Sequence, residues 1–185
     1  MAQRVYLHIG LPKTGTTFLQ TTMWHNRPQL EQQGFLYPGN KRMDHYVASQ
    51  VVRGAPPEKL GGAADSWDRL RSELAAWPGT GLVSHEFFCL ATRRAARRAV
   101  RDLGGPEVHL VLTVRDYQRQ FPAVWQEALK MSSGQTFDEF MDSVLSLPAA
   151  RRRAHRLTAG GAGGRRTSPP CSAAGAGRCR RPAST

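Results

Sequence analysis

A short apolar run, Val5, Leu7 and Ile9, ends at Gly10, and an apolar-periodic segment with Phe18, Leu19 and Trp24 opens at Thr16-Thr17. The first reads as a strand and the second as a helix from about Thr16 to Asn26. Asn26 is placed to cap a second short helix, with Pro28 in its first turn and Gly34 at its end. Phe35-Leu36-Tyr37 follows as a short strand closed by Pro38-Gly39, and a helix is expected around Asp44–Val52. Trp67, Leu70, Leu74 and Trp77 keep helical spacing from Ser66 to Trp77, until Pro78-Gly79 ends the run. Gly81 to Ser84 reads as a strand leading into His85-Glu86, and Thr92 to Leu103 as an arginine-rich helix with a solvated face. Val108 to Val114 is the most strand-like run and is apolar enough for a buried parallel strand. It ends at Arg115-Asp116 and passes into a helix carrying Phe121, Val124, Trp125 and Leu129. Thr136-x-x-Glu139 is a capping box that opens a last helix through Phe140, Met141, Val144 and Leu145. Strands alternating with helices predict an α/β fold with a mainly parallel sheet, whose ligands bind beyond the carboxyl ends of the strands.

Charge changes the picture only at the far end. The chain of 185 residues carries a formal net charge of +12, but residues 1–150 hold 17 Lys+Arg against 14 Asp+Glu. Residues 151–185 hold 9 Arg and no acid, with Leu157 as the one large aliphatic and no aromatic. Such a segment cannot bury enough apolar surface to offset the entropy of ordering, so residues 148–185 are expected to be a disordered tail behind a domain of residues 1–147. The abrupt shift near Ala149 to Arg153 reads as a reading-frame change in a GC-rich coding sequence, which would leave the fold incomplete at its C-terminal end. Cys89, Cys171 and Cys179 are too scattered for a disulfide framework or a metal site. With no apolar stretch of membrane-spanning length and no secretory leader, the expected location is cytoplasmic.

The chemistry is concentrated between the first strand and the first helix. Gly10 and Gly15 bracket a loop holding Pro12, Lys13 and Thr14, and Thr16 and Thr17 begin the helix. A helix start leaves unpaired N–H groups and a partial positive charge, Lys13 adds a full one, and the threonines add hydroxyl donors. These residues make a phosphate-binding loop. It is not a Walker A loop, because Thr16 stands where that motif has its lysine and Lys13 lies inside the loop.

Pro12-Lys13-Thr14-Gly15-Thr16-Thr17 resembles the 5′-phosphosulfate loop of the sulfotransferases that use 3′-phosphoadenosine 5′-phosphosulfate, P-K-[ST]-G-T-T, at every position. Val114 to Trp125 resembles the family's second element, which binds the 3′-phosphate. Arg115, Asp116 and Trp125 fit that pattern, while Ala123 occupies the position of the family's serine, and Arg119 is a candidate to replace the missing contact. Arginine suits the task because its planar fork holds phosphate oxygens bidentately. The resemblance covers roughly residues 1–147 and implies a P-loop-like three-layer fold. It further implies sulfuryl transfer to a hydroxyl or amine on a small-molecule or glycan acceptor, with no metal required. Lys13 would stabilise charge on the leaving phosphate.

His85 and Glu86 compete as the base that takes the acceptor's proton. The cytosolic branch of the family places a histidine after this strand and the Golgi branch a glutamate. If extended, the two side chains here would point to opposite faces, and a near-neutral pKa favours His85. His85 could instead cap or pack, and Glu86 could pair with Lys13 or Arg115. His8 and His109 are expected to pack rather than to bind ligand, and Trp67 and Trp77 to sit in the core.

Two rivals follow from the same residues. An ATP-dependent kinase or nucleotide hydrolase would need a Mg²⁺-positioning hydroxyl after a Walker lysine and a strand-end aspartate, for which Asp116 is the one candidate. A non-enzymatic remnant would keep only a basic tail able to bind nucleic acid without sequence reading. That tail lacks lysine, aromatics and helical period.

Overall fold

All four predicted strands form, and every pairing between them is parallel. A computed structural model describes residues 1–105 and 107–146; the tail read as disordered lies outside the described residues. The strands are β1 (Arg4–His8), β2 (Phe35–Leu36), β3 (Thr80–Ser84) and β4 (Glu107–Val111), in the order β2-β3-β1-β4. β1 is central, with Val5 opposite Gly81 on one side and Val108 on the other. The α-helices are α1 (Thr16–His25), α2 (Arg27–Gln32), α3 (Asp44–Arg53), α4 (Ser66–Ala76), α5 (Arg93–Asp102), α6 (Tyr117–Lys130) and α7 (Phe137–Ser146). Short 3₁₀ turns occupy Pro57–Lys59 and Glu86–Leu90. No helix among the described residues is long and apolar enough to cross a membrane.

The period of two along the strands divides the sheet into unlike faces. Val5, Leu7 and Val83 point to one face and are buried with Ala48 and Val52 of α3, Trp67, Leu70 and Leu74 of α4, and Ala99 of α5. Trp67 and Trp77 take the core places expected of them, Trp67 fully and Trp77 partly buried. Each large side chain buried here contributes roughly 1.5–3 kcal/mol relative to exposure. The opposite face carries Tyr6, His8 and Leu82, flanked by Leu19 and Met23 of α1 around an open cavity of about 240 Å³. Helical layering is thus dense on one face of the sheet and sparse on the other.

Thr92, where the arginine-rich helix was expected to begin, accepts from the N–H of Ala95 and caps α5. The Thr136–Glu139 box closes both ways, Glu139 Oε2 accepting from Thr136 N–H at 2.8 Å and Thr136 Oγ1 from Glu139 N–H at 3.3 Å. Three expectations need correction. Asn26 does not cap α2 with its side chain; its Nδ2 donates back to the Thr22 carbonyl at 2.7 Å. Phe18, 74 % exposed, and Leu19 are not buried by α1, whose one buried residue is Thr16. The run from Val108 to Val114 is not a buried strand: regular pairing stops at Val111, and Leu110, Leu112 and Val114 are 61, 53 and 67 % exposed. β4 is the edge of the described sheet, paired with β1 alone, so apolar composition there does not translate into burial.

The core also holds a histidine that the sequence did not single out. His45 Nε2 donates to the Pro38 carbonyl at 2.7 Å, its Nδ1 accepts from Ser84 N–H at 3.2 Å, and Tyr37 stacks on the ring. With both ring nitrogens committed, the neutral ring is the form that fits, and burial pushes its pKa down to about 4. A histidine depressed from 6.5 favours the folded state fully above pH 6.5 and loses that contribution as pH falls toward 4. At about 1.4 kcal/mol per unit, the loss is on the order of 3 kcal/mol. Denaturant unfolding between pH 7 and 4 should show stability falling with acid, more shallowly in His45→Gln. His85 and His8, also depressed by burial, add to the slope in both proteins.

Candidate functional site

The carboxyl ends of β1, β3 and β4 meet the start of α1, and the residues singled out from sequence gather there. The loop after β1 is tied to the segment after β4 by backbone bonds from Ile9 N–H to Val111 O and from Leu11 N–H to Thr113 O. Gly10 is where the two come closest. A Cβ there would lie 2.3 Å from Thr113 Oγ1 and 2.8 Å from Thr16 Cγ2, so no larger residue fits without moving one of them. Lys13 holds a left-handed φ of 68° and Gly15 one of 87°. For lysine this conformation costs on the order of 1–3 kcal/mol, a strain found mainly where loops bind ligands. Leu11 O and Thr14 N–H close a turn over Pro12-Lys13, and among the described residues no hydrogen bond is seen from the backbone N–H of Lys13, Gly15, Thr16 or Thr17. Open donors leading into a helix start suit an anion.

A directed chain of hydrogen bonds fixes the loop from beneath. The Thr14 hydroxyl donates to Leu11 O at 2.6 Å, so it accepts from the Thr113 hydroxyl at 2.8 Å. Thr113 Oγ1 in turn accepts from His8 Nε2 at 3.2 Å, and His8 Nδ1 accepts from the Ser84 hydroxyl at 2.8 Å. Each hydroxyl has one proton to give, so this order satisfies every member with His8 neutral. Burial lowers the His8 pKa, in keeping with that form, although the field of Glu86 works against it. His8 is therefore packed, as expected, and also braces Thr14. His109 is half-exposed, its ring 5.1 Å from that of Tyr6.

His85 and Glu86 do not diverge to opposite faces. The strand ends at Ser84 and a 3₁₀ turn begins at Glu86, which folds both side chains to one side, His85 Nδ1 lying 3.7 Å from Glu86 Oε2. His85 Nδ1 accepts from Phe87 N–H at 3.2 Å and so caps that turn. The neutral ring then carries its proton on Nε2. Burial holds the ring below its ordinary pKa against the pull of Glu86, so the two are not an ion pair at neutral pH. Burial works to raise the Glu86 carboxyl. The charge that His85 takes up when it is protonated, Glu86's own N–H and the donors of Gln20 and Thr16 outweigh it and hold the carboxyl below its ordinary range. Gln20 Nε2 reaches Glu86 Oε2 at 2.8 Å, linking β3's end to α1.

Glu86 thus pairs with neither Lys13 nor Arg115. Lys13 Nζ donates to Glu127 Oε2 of α6 at 3.1 Å. Arg115 is exposed, with Nη1 3.5 Å from the Lys13 carbonyl. Arg119 is 73 % exposed, its Nε 3.9 Å from Asp116 Oδ2. Asp116 caps α6 by accepting from Arg119 N–H at 3.0 Å. Pro12, Thr14, Gly15, Thr16 and Thr17 stand together in the loop and the first turn of α1.

Gln20, Thr113, Gln120 and Glu127 were not anticipated from sequence. Gln120 is buried, and its Nε2 donates to the Pro12 carbonyl at 2.7 Å. A signal for two of them was present. Gln120 and Glu127 lie three residues before and four after Ala123, the position compared above with a ligand-contacting serine, and so share its helical stripe. Among the described residues, no three His, Cys, Asp or Glu side chains gather closely enough to hold a metal ion. No family model, no curated protein and no solved structure matches the chain.

Proposed function

We propose that the chain is a sulfotransferase with a P-loop-like fold that moves a sulfuryl group from 3′-phosphoadenosine 5′-phosphosulfate to a hydroxyl or amine. The observation that carries this reading is the loop Pro12–Thr17. It presents the open N–H groups of Lys13, Gly15, Thr16 and Thr17 and a strained, cationic Lys13 at the carboxyl end of a parallel strand, in a sequence that matches the family's loop throughout. Those donors suit the 5′-phosphosulfate, and Lys13 would hold charge developing on the leaving phosphate. Arg115, exposed beside the Lys13 carbonyl, is free to turn its fork to the 3′-phosphate. Arg119, which faces Asp116, is the weaker candidate for that phosphate.

The base is assigned to Glu86. Its carboxylate is ionised and held by Gln20 close to the start of α1, whereas the His85 lone pair is spent on Phe87 N–H. The acceptor's proton passes to Glu86 as its oxygen or nitrogen bonds to sulfur and the bond from sulfur to the bisphosphate breaks. His85 acts beside it as a positioning residue. The acceptor is a small molecule or a glycan unit, and nothing in these roles calls on a metal ion or on nucleic acid.

Affinity for 3′,5′-bisphosphoadenosine should exceed that for adenosine 5′-monophosphate, and Arg115→Lys should narrow the gap. Lysine keeps the charge but loses the fork, so the bisphosphate should bind about 5- to 100-fold more weakly, with the monophosphate little changed. Equal losses for both nucleotides would remove Arg115 from the 3′-phosphate.

A further inference from the structure

We propose that Glu127 is a latch on Lys13: in the nucleotide-free protein its carboxylate holds the ammonium, and an anion entering the loop draws the lysine off. The inference rests on the reading of Pro12–Thr17 as an anion site and adds a regulator to it.

Helix α6 and the segment leading into it grip the loop at three points that differ in kind. Gln120 Nε2 holds the Pro12 carbonyl at 2.7 Å from a buried position, and Arg115, just before the helix, approaches the Lys13 carbonyl at 3.5 Å. These contacts take up carbonyl oxygens and leave the loop N–H groups pointing elsewhere. The third contact, Glu127 Oε2 to Lys13 Nζ at 3.1 Å, instead occupies the cation that an anion needs. It is also the contact that can open. The two side chains are 36 and 40 % exposed, and ion pairs of that exposure are weak and screened by solvent, whereas a hydrogen bond from a charged group to phosphate is stronger. Opening does not strand the carboxylate. Lys130, one turn further along α6, already lies with its Nζ 3.5 Å from the same Glu127 oxygen and remains as its partner. Glu127 and Lys130 together return the lysine to rest when the anion leaves.

The test is calorimetric titration of the full chain with 3′,5′-bisphosphoadenosine, in the wild type, Glu127→Gln, Glu127→Asp and Lys13→Ala. Glu127→Gln removes the charge. Glu127→Asp keeps it but is one methylene too short to hold Lys13 at hydrogen-bond distance. The latch predicts that both bind about two- to fivefold more tightly than the wild type. Tightening in Glu127→Gln alone would show that Glu127 acts only through its field, and no tightening in either would show that it does not restrain the lysine; both results overturn the latch. A large loss in Lys13→Ala alongside unchanged Glu127 variants would sink the latch and leave the anion site standing. Failure of the wild type to bind, or Lys13→Ala binding as well as it does, would remove the anion site and the latch with it. Far-UV circular dichroism of each variant checks that the fold is kept, which the exposure of the pair leads one to expect.

Discussion

Glu86→Gln should reduce sulfuryl transfer by a factor on the order of 10²–10⁴ while leaving bisphosphate affinity within a few-fold of wild type. The substitution keeps the side chain's shape and an oxygen for Gln20 to donate to, but removes the proton acceptor, whose contribution in general base catalysis has about that size. His85→Gln should cost less, because His85 Nδ1 already accepts from Phe87 N–H and the neutral ring has no lone pair free on Nε2. The measurement is the rate of bisphosphate release from the donor with a phenol and an amino sugar as probe acceptors. If Glu86→Gln keeps its rate and His85→Gln loses it, the roles are reversed and the ring must change tautomer during turnover.

The second large effect belongs to Lys13. Lys13→Ala should weaken bisphosphate binding by about 10- to 100-fold, the span expected for one charge-assisted contact. Lys59→Ala, which removes an exposed lysine, should change it little. The melting temperature of Lys13→Ala should hardly move. The Lys13–Glu127 pair is exposed and contributes about 1 kcal/mol at most, and alanine at φ 68° bears the same backbone strain as lysine. A loss of affinity matched by a fall in stability would point to a scaffold role for Lys13.

The elements were legible because periodicity reports burial on the face of the sheet that is covered. Trp67, Leu70 and Leu74 are spaced for a helix and pack as one. Where periodicity and burial part, the reading fails. Val108 to Val114 has the composition of an inner strand, but β4 has one neighbour, and an apolar run carries no record of how many strands flank it. The loop was legible for a different reason: glycine spacing, proline and lysine dictate backbone geometry locally. The site's polar braces were not, since His8, Thr113, Ser84 and Thr14 come from segments up to 105 residues apart and meet only after β1 and β4 pair. His85 and Glu86 show the limit of alternation. It predicts opposite faces only while the strand continues, and the 3₁₀ turn starts one residue too soon.

We propose that the loop between β1 and α1 is built for a phosphosulfate nucleotide rather than a magnesium-bound triphosphate. Calorimetric titration of the wild-type chain with 3′,5′-bisphosphoadenosine, run against ATP with magnesium, tests it most directly. The account predicts saturable bisphosphate binding that magnesium does not strengthen, with ATP and magnesium at least tenfold weaker, a difference of about 1.4 kcal/mol. Tighter binding of ATP that depends on magnesium, with no response to the bisphosphate, would contradict it.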